Sequence, residues 1–426
     1  QIAGKSLQHK PVLVLSAMGD TTDYLLEAAS RALDEGPLTV ERSLEKITDI
    51  HLRAVRELGL AKTLPPDISA LLADLGALLA GISLIKELSP KSKDFLLSFG
   101  ERLCVRIVAA YFARCGMNAC ALDAWDAGLV SDSRAGGAEL LEASSRNVRE
   151  KILPLVKKGV IPVITGFIAK DAGGVITTLG RGGSDLSATF IAASCDAREA
   201  QVWKDVDGLL TADPRIVETA RPVDCVSYEE AAELAYFGAQ VLHPRAMQPC
   251  IKSATPVLVK NSYNPEAPGT RIVAKTAPAP SGVRSITTRG NVTLVDIQSS
   301  RMLGQSGFLA EVFAAFARHG ISVDMLATSE VSVSLTIDSA NDVETVKKEI
   351  VRIADVKVRT KKAIVTIICD VSQSSAILER AAAVCTRTGV PMHMVSQGAS
   401  KVNISFVVND THAAKTVRNL HAAFFP

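Results

Sequence analysis

Short apolar runs alternate with longer amphipathic stretches from Pro11 to about Pro268. The runs "PVLVLSA" (Pro11–Ala17), "VIPVITGFI" (Val160–Ile168), "EAQVWKD" (Glu199–Asp205) and "TPVLVKN" (Thr255–Asn261) predict strands. Helices are predicted at "DYLLEAASRAL", "DLSATFIAAS" and "HPRAMQPCIKS", and along a stripe through Leu141, Val148, Ile152 and Leu155. Strands alternating with helices make an α/β fold, an open and mostly parallel sheet sandwiched by helices. Such a sheet binds ligands in the loops at the carboxyl ends of its strands. The turns "LSAMGDTTD", "TTLGRGGSD" and "WKDVDG" all fit that placement.

The pattern changes at "NPEAPGTRIVAKTAPAPSG" (Asn264–Gly282), whose four prolines mark a linker. Beyond it lies an internal repeat. "NVTLVDI", "GFLAEVFAAFARHGISVDMLATS" and "EVSVSLTID" give strand, helix, strand, strand; "AIVTIICD", "SSAILERAAAVCTRTGVPMHMVSQG" and "SKVNISFVVND" repeat the order. Gly320 matches Gly389 and Ser329 matches Ser400. Each copy reads as a ferredoxin-like β-α-β-β-α module. The second copy ends in a helix, while "VRSITT" (Val283–Thr288) is a spare strand ahead of the first. The spare strand is expected to complete the second module's sheet. The expected boundaries are therefore 1–268, a linker at 269–282, and modules at 283–362 and 363–426.

Composition narrows the function. With 47 basic and 45 acidic residues, the net charge is +2. That balance makes no electrostatic case for nucleic acid or an anionic membrane. No apolar run is read as reaching the ~20 residues needed to span a bilayer. The eight cysteines show no CxxC and no zinc spacing, so they read as reduced structural thiols. The chain starts at Gln1, without methionine or an apolar signal core, so it reads as processed or truncated.

Two glycine-bearing stretches bear on phosphate binding. Gly4-Lys5-Ser6 lacks both the preceding glycine and the strand of a Walker loop. Gly180, Gly182 and Gly183 lack the third glycine of a dinucleotide fingerprint. They do lie between a short strand, "GVITTL", and a helix starting near Asp185. Glycines let the backbone approach an anion, and a helix start supplies free N–H groups. Arg181 adds a guanidinium able to bind phosphate or carboxylate through two hydrogen bonds. Ser184 and Asp185 read either as helix caps or as ligand contacts.

"TTLGRGGSD", "WKDVDGLLTADPR", "FGAQVLHP" and "GERL", in this order along the chain, resemble the aspartate kinase family of the amino-acid kinase fold. "RMLGQSGFLAEVF", "ISVDMLATSEVSVSLT" and "SQGASKVNISFVV" resemble its two regulatory ACT modules. "LAYFGAQVLHP" and "SAMGDTTD" are most similar to the monofunctional plant-type enzyme, which implies a plastid stroma. The resemblance implies transfer of the ATP γ-phosphate to the β-carboxylate of L-aspartate, with magnesium. A carboxylate of pKa ~3.9 is already ionised, so no general base is required. Bringing two anions together is the chemical problem.

By the same resemblance, Arg181 clamps the substrate α-carboxylate and Glu101 pairs with its ammonium. Thr22 and Ser184 hydrogen-bond the substrate, and Asp185 organises the reacting end. Taken singly, Glu101 also reads as a helix-start charge and Thr22 as an N-cap. Gly182, Gly183, Lys204, Asp205, Leu210, Asp213, Arg215, Gln240 and Val241 match the nucleotide site. Leu210 stands where some bacterial relatives have an aromatic residue, and Gln240 where they have lysine. No metal ligand is assigned, since magnesium keeps mostly water and phosphate ligands. Family members begin with a strand ending in Lys-Phe-Gly-Gly, which nothing before Pro11 matches. The resemblance thus implies a chain that phosphorylates aspartate poorly, or an impaired lysine-sensing relative.

The ACT likeness implies feedback inhibition by lysine, strengthened by S-adenosylmethionine, in a homodimer paired through these modules. Met302, Gln305, Gly307, Phe308, Leu309, Ser322, Val323, Asp324, Ser329 and Glu330 match the lysine site. Asp324 and Glu330 suit an ammonium, and the helix start at Gly307 and Phe308 suits a carboxylate. Met302, Phe308 and Leu309 read equally as core.

Overall fold

The computed structural model describes residues 7–35, 37–61, 66–237, 241–279, 281–302, 306–339, 342–397 and 402–426. In chain order the first elements are β1 (Leu13–Leu15), α1 (Thr21–Asp34), α2 (Pro37–Glu57), α3 (Pro66–Ile85) and α4 (Pro90–Arg114). Then come β2 (Ala119–Leu122), β3 (Val130–Ser131), α5 (Ala143–Lys157), β4 (Ile161–Thr165), β5 (Ile168–Asp171), β6 (Ile176–Thr178) and α6 (Gly183–Ser194). The middle of the chain forms β7 (Ala200–Lys204), β8 (Cys225–Ser227), α7 (Tyr228–Phe237), α8 (Pro244–Ser253), β9 (Val257–Asn261) and β10 (Thr270–Val273). The repeat forms β11 (Val283–Gln298), α9 (Phe308–Arg318), β12 (Val323–Thr328), β13 (Ser332–Asp338) and α10 (Val343–Ile350). It continues through β14 (Asp355–Cys369), α11 (Ser374–Thr388), β15 (Met394–Ser396), β16 (Asn403–Asn409) and α12 (Asp410–Phe424). Two compact units result, one of residues 1–203 and 242–258, the other of 204–241 and 259–426.

In the first unit β4 lies between β1 and β2, all parallel, with Leu15 opposite Thr165 and Ala119 opposite Ile161. Every residue of β4 is buried, which is why it reads as an unbroken apolar run. β3 pairs β5 in parallel, and β6 turns back antiparallel to β5. Leu25, Ile47, Leu75, Leu79, Phe99 and Leu103 form the core that joins α1 to α4.

Two sequence expectations fail here. α3 is 20 residues long and, by length and composition, apolar enough to cross a membrane. Its Ile68, Leu71, Leu75, Leu79 and Ile82 recur every three or four residues and are buried in that helical core. Leu141 lies before α5 and is exposed; its N–H bonds Val130 O, so the helical stripe begins after it.

In the second unit β12, β13, β11, β14, β16 and β15 form one six-stranded sheet in that order. β11 does two jobs. Val292–Gln298 pairs β13 of its own module, while Val283–Arg289 pairs Ile364–Cys369 of the next. The spare strand thus completes the second module, as its sequence position implies. β14 reciprocates, since Asp355–Lys362 pairs the first module's half of β11. The linker stretch is not wholly irregular: its "TRIV" forms β10, parallel to β8.

Candidate active site

The first unit gathers four of the expected substrate residues around the carboxyl ends of β1 and β4. Gly166, just past β4, donates its N–H to Leu15 O at 2.8 Å. Ser184 packs against Gly166 so closely that a Cβ there would lie 2.8 Å from Ser184 Oγ. Glu101 sits mid-way along α4, not at a helix start, and is 3% exposed. Its Oε1 accepts the Ala17 N–H at 3.1 Å, while Oε2 is buried with no partner among the described residues. Burial raises its pKa to about 7. Gly100 allows this approach, because a Cβ there would meet Ala17 Cβ at 2.7 Å. Thr22 is in the first turn of α1, whose N-cap is Asp20, so it is not the cap.

The glycine loop is held from three sides. Gly182, at φ +69°, is the N-cap of α6, so neither Ser184 nor Asp185 caps it. A Cβ on Gly182 would lie 2.8 Å from the His243 side chain. His243 in turn caps α8, its Nδ1 accepting the Arg245 N–H. Arg245 donates to Leu179 O at 2.8 Å and Ala138 O at 2.6 Å. Buried Asp94 accepts from Gly136 N, Thr178 N and Thr178 Oγ1. Sequence reasoning missed all three. "HPR" directly after "FGAQVL" was a usable signal for His243 and Arg245, since proline favours the first helical position. Arg181 is exposed at the loop's tip. The loop therefore offers backbone N–H groups and one guanidinium on a rigid base.

The expected nucleotide residues of the second unit follow β7. Lys204 closes that strand, its carbonyl accepting Ser262 N and Oγ. Asp205 is exposed beside it. Gly208, at φ +121°, abuts Thr270, whose Oγ1 accepts Leu209 N. Leu210 is half-buried, and its carbonyl accepts Ser285 Oγ at 2.7 Å. Asp213 and Arg215 form a bidentate pair that holds the Asp213 carboxyl below its usual range. Val241 is half-buried; Gln240, like Gly4 and Lys5, lies outside the described residues. The segment is more than a charged surface turn. Ala212 and Val217 are buried in the second module's core, and Thr211 Oγ1 bonds His421 at 2.9 Å.

Known proteins agree with this architecture. The amino acid kinase family model matches residues 1–261, and an ACT domain model matches 295–350 and 366–424. Aspartokinase 2, chloroplastic, of Arabidopsis thaliana is 46% identical over 98% of this chain and 79% of its own length. Lysine-sensitive aspartokinase 3 of Escherichia coli is 34% identical over 97% of this chain and 92% of its own. The crystal structure of E. coli aspartokinase III with aspartate and ADP, an R-state, superposes with a TM-score of 0.81. It shares 32% identity and covers 100% of this chain and 96% of that one. The T-state of the same enzyme, with lysine and aspartate, gives 0.80 at 32% identity, over 100% of this chain and 95% of its own.

The chain belongs to the aspartokinase family. It is a phosphotransferase with a carboxyl group as acceptor.

The expected effector residues of this aspartokinase all fall on the first ACT module, apart from Gln305, which lies outside the described residues. Gly307, at φ +94°, is the N-cap of α9. Phe308 is buried in the module core and Met302 packs against it, whereas Leu309 is 38% exposed and is not core. Ser322 and Val323 lead into β12. Ser329 closes the turn to β13, its Oγ accepting Val331 N and Ser332 N, with exposed Glu330 beside it. Asp324 is the exception to an open site. Its side chain is only 4% exposed, bonded by Tyr236 OH at 2.6 Å and Arg289 at 3.0 Å.

Proposed function

We propose that this chain transfers the γ-phosphoryl group of ATP to the β-carboxylate of L-aspartate, giving 4-phospho-L-aspartate and ADP. A β-carboxylate oxygen forms the new O–P bond as the bond to the bridging oxygen of ADP breaks. Arg181 holds the α-carboxylate, Thr22 and Ser184 orient the substrate, and Asp185 organises the reacting end. The glycine loop's N–H groups face the phosphates, where charge develops. Lys204, Asp205, Leu210, Asp213, Arg215 and Val241 serve the nucleotide. No cluster of three or more His, Cys, Asp or Glu among the described residues forms a protein cage for a metal. In this reading magnesium is held chiefly by the nucleotide's own phosphates. The names of the relatives support L-lysine as a feedback inhibitor and the plastid as the site of action. S-adenosylmethionine synergy and a homodimer complete this reading.

One observation carries it: the Glu101 carboxyl, buried, half-satisfied and raised to about 7, is a site prepared for a cation. Pairing with the substrate ammonium ionises it, so binding releases a proton below pH ~7. The aspartate KM should therefore fall as pH rises towards 7 and then level off. ATP-dependent formation of aspartyl hydroxamate tests the reaction itself. In Glu101→Gln the aspartate KM should rise on the order of 100-fold, with little change for ATP, and lose its pH dependence. An unchanged aspartate KM would remove Glu101 from the site. Lysine binding without any hydroxamate would mean a non-catalytic sensor.

A further inference from the structure

A cleft in the first unit holds none of the expected substrate or nucleotide residues. It has a volume of about 490 Å³ and opens between α3, the amino-terminal half of α4, the turn after β2 and the β5–β6 hairpin. Its lining residues include three cations, Lys91, Arg102 and Lys170, against one acid, the exposed Asp74. Phe95, Trp125, Val175 and Ile176 supply apolar surface. Arg102 directly follows Glu101 on α4 but lies about 100° further round the helix. It shares its face with Phe95, Phe99 and Arg106, spaced three or four residues apart.

The cations here are held in place without being neutralised. Lys170 Nζ lies 4.1 Å from the centre of the Trp125 ring and has no carboxylate partner among the described residues. The Arg102 guanidinium lies 5.4 Å from the Phe99 ring centre and 5.8 Å from that of Trp125. Aromatic faces attract a cation through the ring quadrupole and leave its charge intact. Asp123 lies 3.4 Å from Arg102 Nε, but Arg106 takes that carboxylate in a bidentate pair at 2.9 and 3.2 Å. Arg102 Nε is buried with no hydrogen-bond partner among the described residues. Two guanidinia one turn apart thus share one buried carboxylate. Asp67, which Arg106 reaches at 3.8 Å, is 68% exposed and screened by water. Burial lowers the Arg102 pKa, Asp123 pulls it back up, and Arg106 pushes it down again. A cation left over at the floor of an apolar-walled cleft is costly until an anion meets it.

We propose that this cleft is a second small-molecule site of the kinase segment, and that it takes an organic dianion with a flat apolar body. Three lining cations against one lining acid leave a double positive charge, which a dianion balances. Arg102 meets one anionic group through two of its N–H donors. Lys170 reaches it from the hairpin and Lys91 from the first turn of α4. The apolar body lies against Phe95, Val175 and Ile176. The volume is within the roughly 300–1,000 Å³ usual for small-ligand pockets, and apolar walls with a few convergent polar groups are their usual lining. An aromatic phosphate monoester and an aromatic dicarboxylate share the required chemistry.

The test uses the full chain carrying Trp203→Phe, which leaves Trp125 as its one tryptophan. Phenyl phosphate is titrated while Trp125 emission is followed, with calorimetry on the same samples. Emission should change saturably, and calorimetry should return the same affinity; saturation by neither method overturns the site. Arg102→Met and Lys170→Gln should each weaken binding about 10- to 100-fold, the loss expected for a hydrogen bond to a charged group. Lys170 is only half-buried, so Lys170→Gln still decides the matter should Arg102→Met fail to fold. Unchanged affinity in Lys170→Gln overturns the proposal. Phthalate separates the two sources: tighter binding of phthalate assigns a dicarboxylate, and tighter binding of phenyl phosphate a phosphate ester. Inorganic phosphate should bind at least about 10-fold more weakly, because it covers none of the apolar wall. Equal affinity for inorganic phosphate would overturn the apolar body. Saturating ADP and aspartate should leave the titration unaltered. If they abolish it, phenyl phosphate occupies the expected substrate site and the second site falls.

Discussion

Where the first ACT module carries Asp324, the second, 69 residues on from Gly320 to Gly389, carries His393. The two places have the same architecture and opposite electrostatics. In the first, the Arg289 cation lies between two carboxylates, Asp324 and Asp338. In the second, buried Lys362 donates to Asn409 Oδ1 at 2.6 Å and lies 3.0 Å from His393 Nε2. Burial lowers the Lys362 pKa. The first place meets its cation with carboxylates; the second meets its own with an amide oxygen. Duplication supplied one scaffold, and substitution divided the labour.

The second module has other work. Its core encloses Ala212 and Val217 of the proposed nucleotide segment, and Ile286 donates its backbone N–H to Thr211 O. The largest expected effect follows. Ile286→Ala should destabilise the chain by about 2–5 kcal/mol, the usual cost of emptying a buried site, and should raise the ATP KM. Leu335→Ala, fully buried in the first module, should cost a similar amount and leave the ATP KM unchanged. Urea unfolding and ATP saturation curves would compare them. Equal ATP KM changes would mean that the second module has no special hold on the segment.

That hold was invisible in the sequence, for a physical reason. Ala212, Ile216 and Val217 are the apolar residues of "TADPRIVE", too few to show a period. Their burial comes from Val283 and Ile286, more than sixty residues away. By contrast β1, β4, β7 and β9 were legible because each is a compact apolar run between turn residues. The spare strand was legible because the repeat left it over. Of the candidate site, the glycine loop could be read from its local conformational demands. The environment of Glu101 could not: "SFGERL" shows a charge on a helix, and only packing against Ala17 makes it buried. The Arg289–Asp324–Tyr236 cluster joins three segments far apart in sequence, so spacing could not reveal it.

Exchanging the charged residues sharpens the contrast between modules. Arg289→Met takes the guanidinium away from two carboxylates and should destabilise the first module by roughly 1–3 kcal/mol. That is less than the ~3–5 kcal/mol for a fully buried pair, because Asp338 is 46% exposed. Lys362→Met removes a buried cation that has no carboxylate in hydrogen-bond contact among the described residues. It should leave stability unchanged or raise it by about 1 kcal/mol. Chemical denaturation of both variants reads the difference. A larger loss for Lys362→Met than for Arg289→Met would reverse the comparison.

The smallest effect concerns His421, at the junction of the second module and the nucleotide segment. It is 3% exposed, its Nε2 bonds Thr211 Oγ1, and its pKa is lowered by burial and then by Arg221. A histidine depressed in the folded state binds fewer protons there than in the unfolded chain, whose value is near 6.5. Its stabilising contribution is therefore complete above pH ~6.5 and is lost as pH falls through the folded pKa. Glu101 acts in the opposite sense. Raised to about 7, it favours the folded chain at low pH, and that contribution fades between its ordinary value of 4.5 and about 7. In a Glu101→Gln background the acid side of the Tm profile should thus steepen, exposing the histidine term. Adding His421→Gln should flatten it again, since glutamine still reaches Thr211 but does not titrate. His51, fully buried and also lowered, supplies the residual slope. A Tm profile between pH 5 and 7 left unaltered by His421→Gln would show that this histidine does not make the junction sensitive to acid.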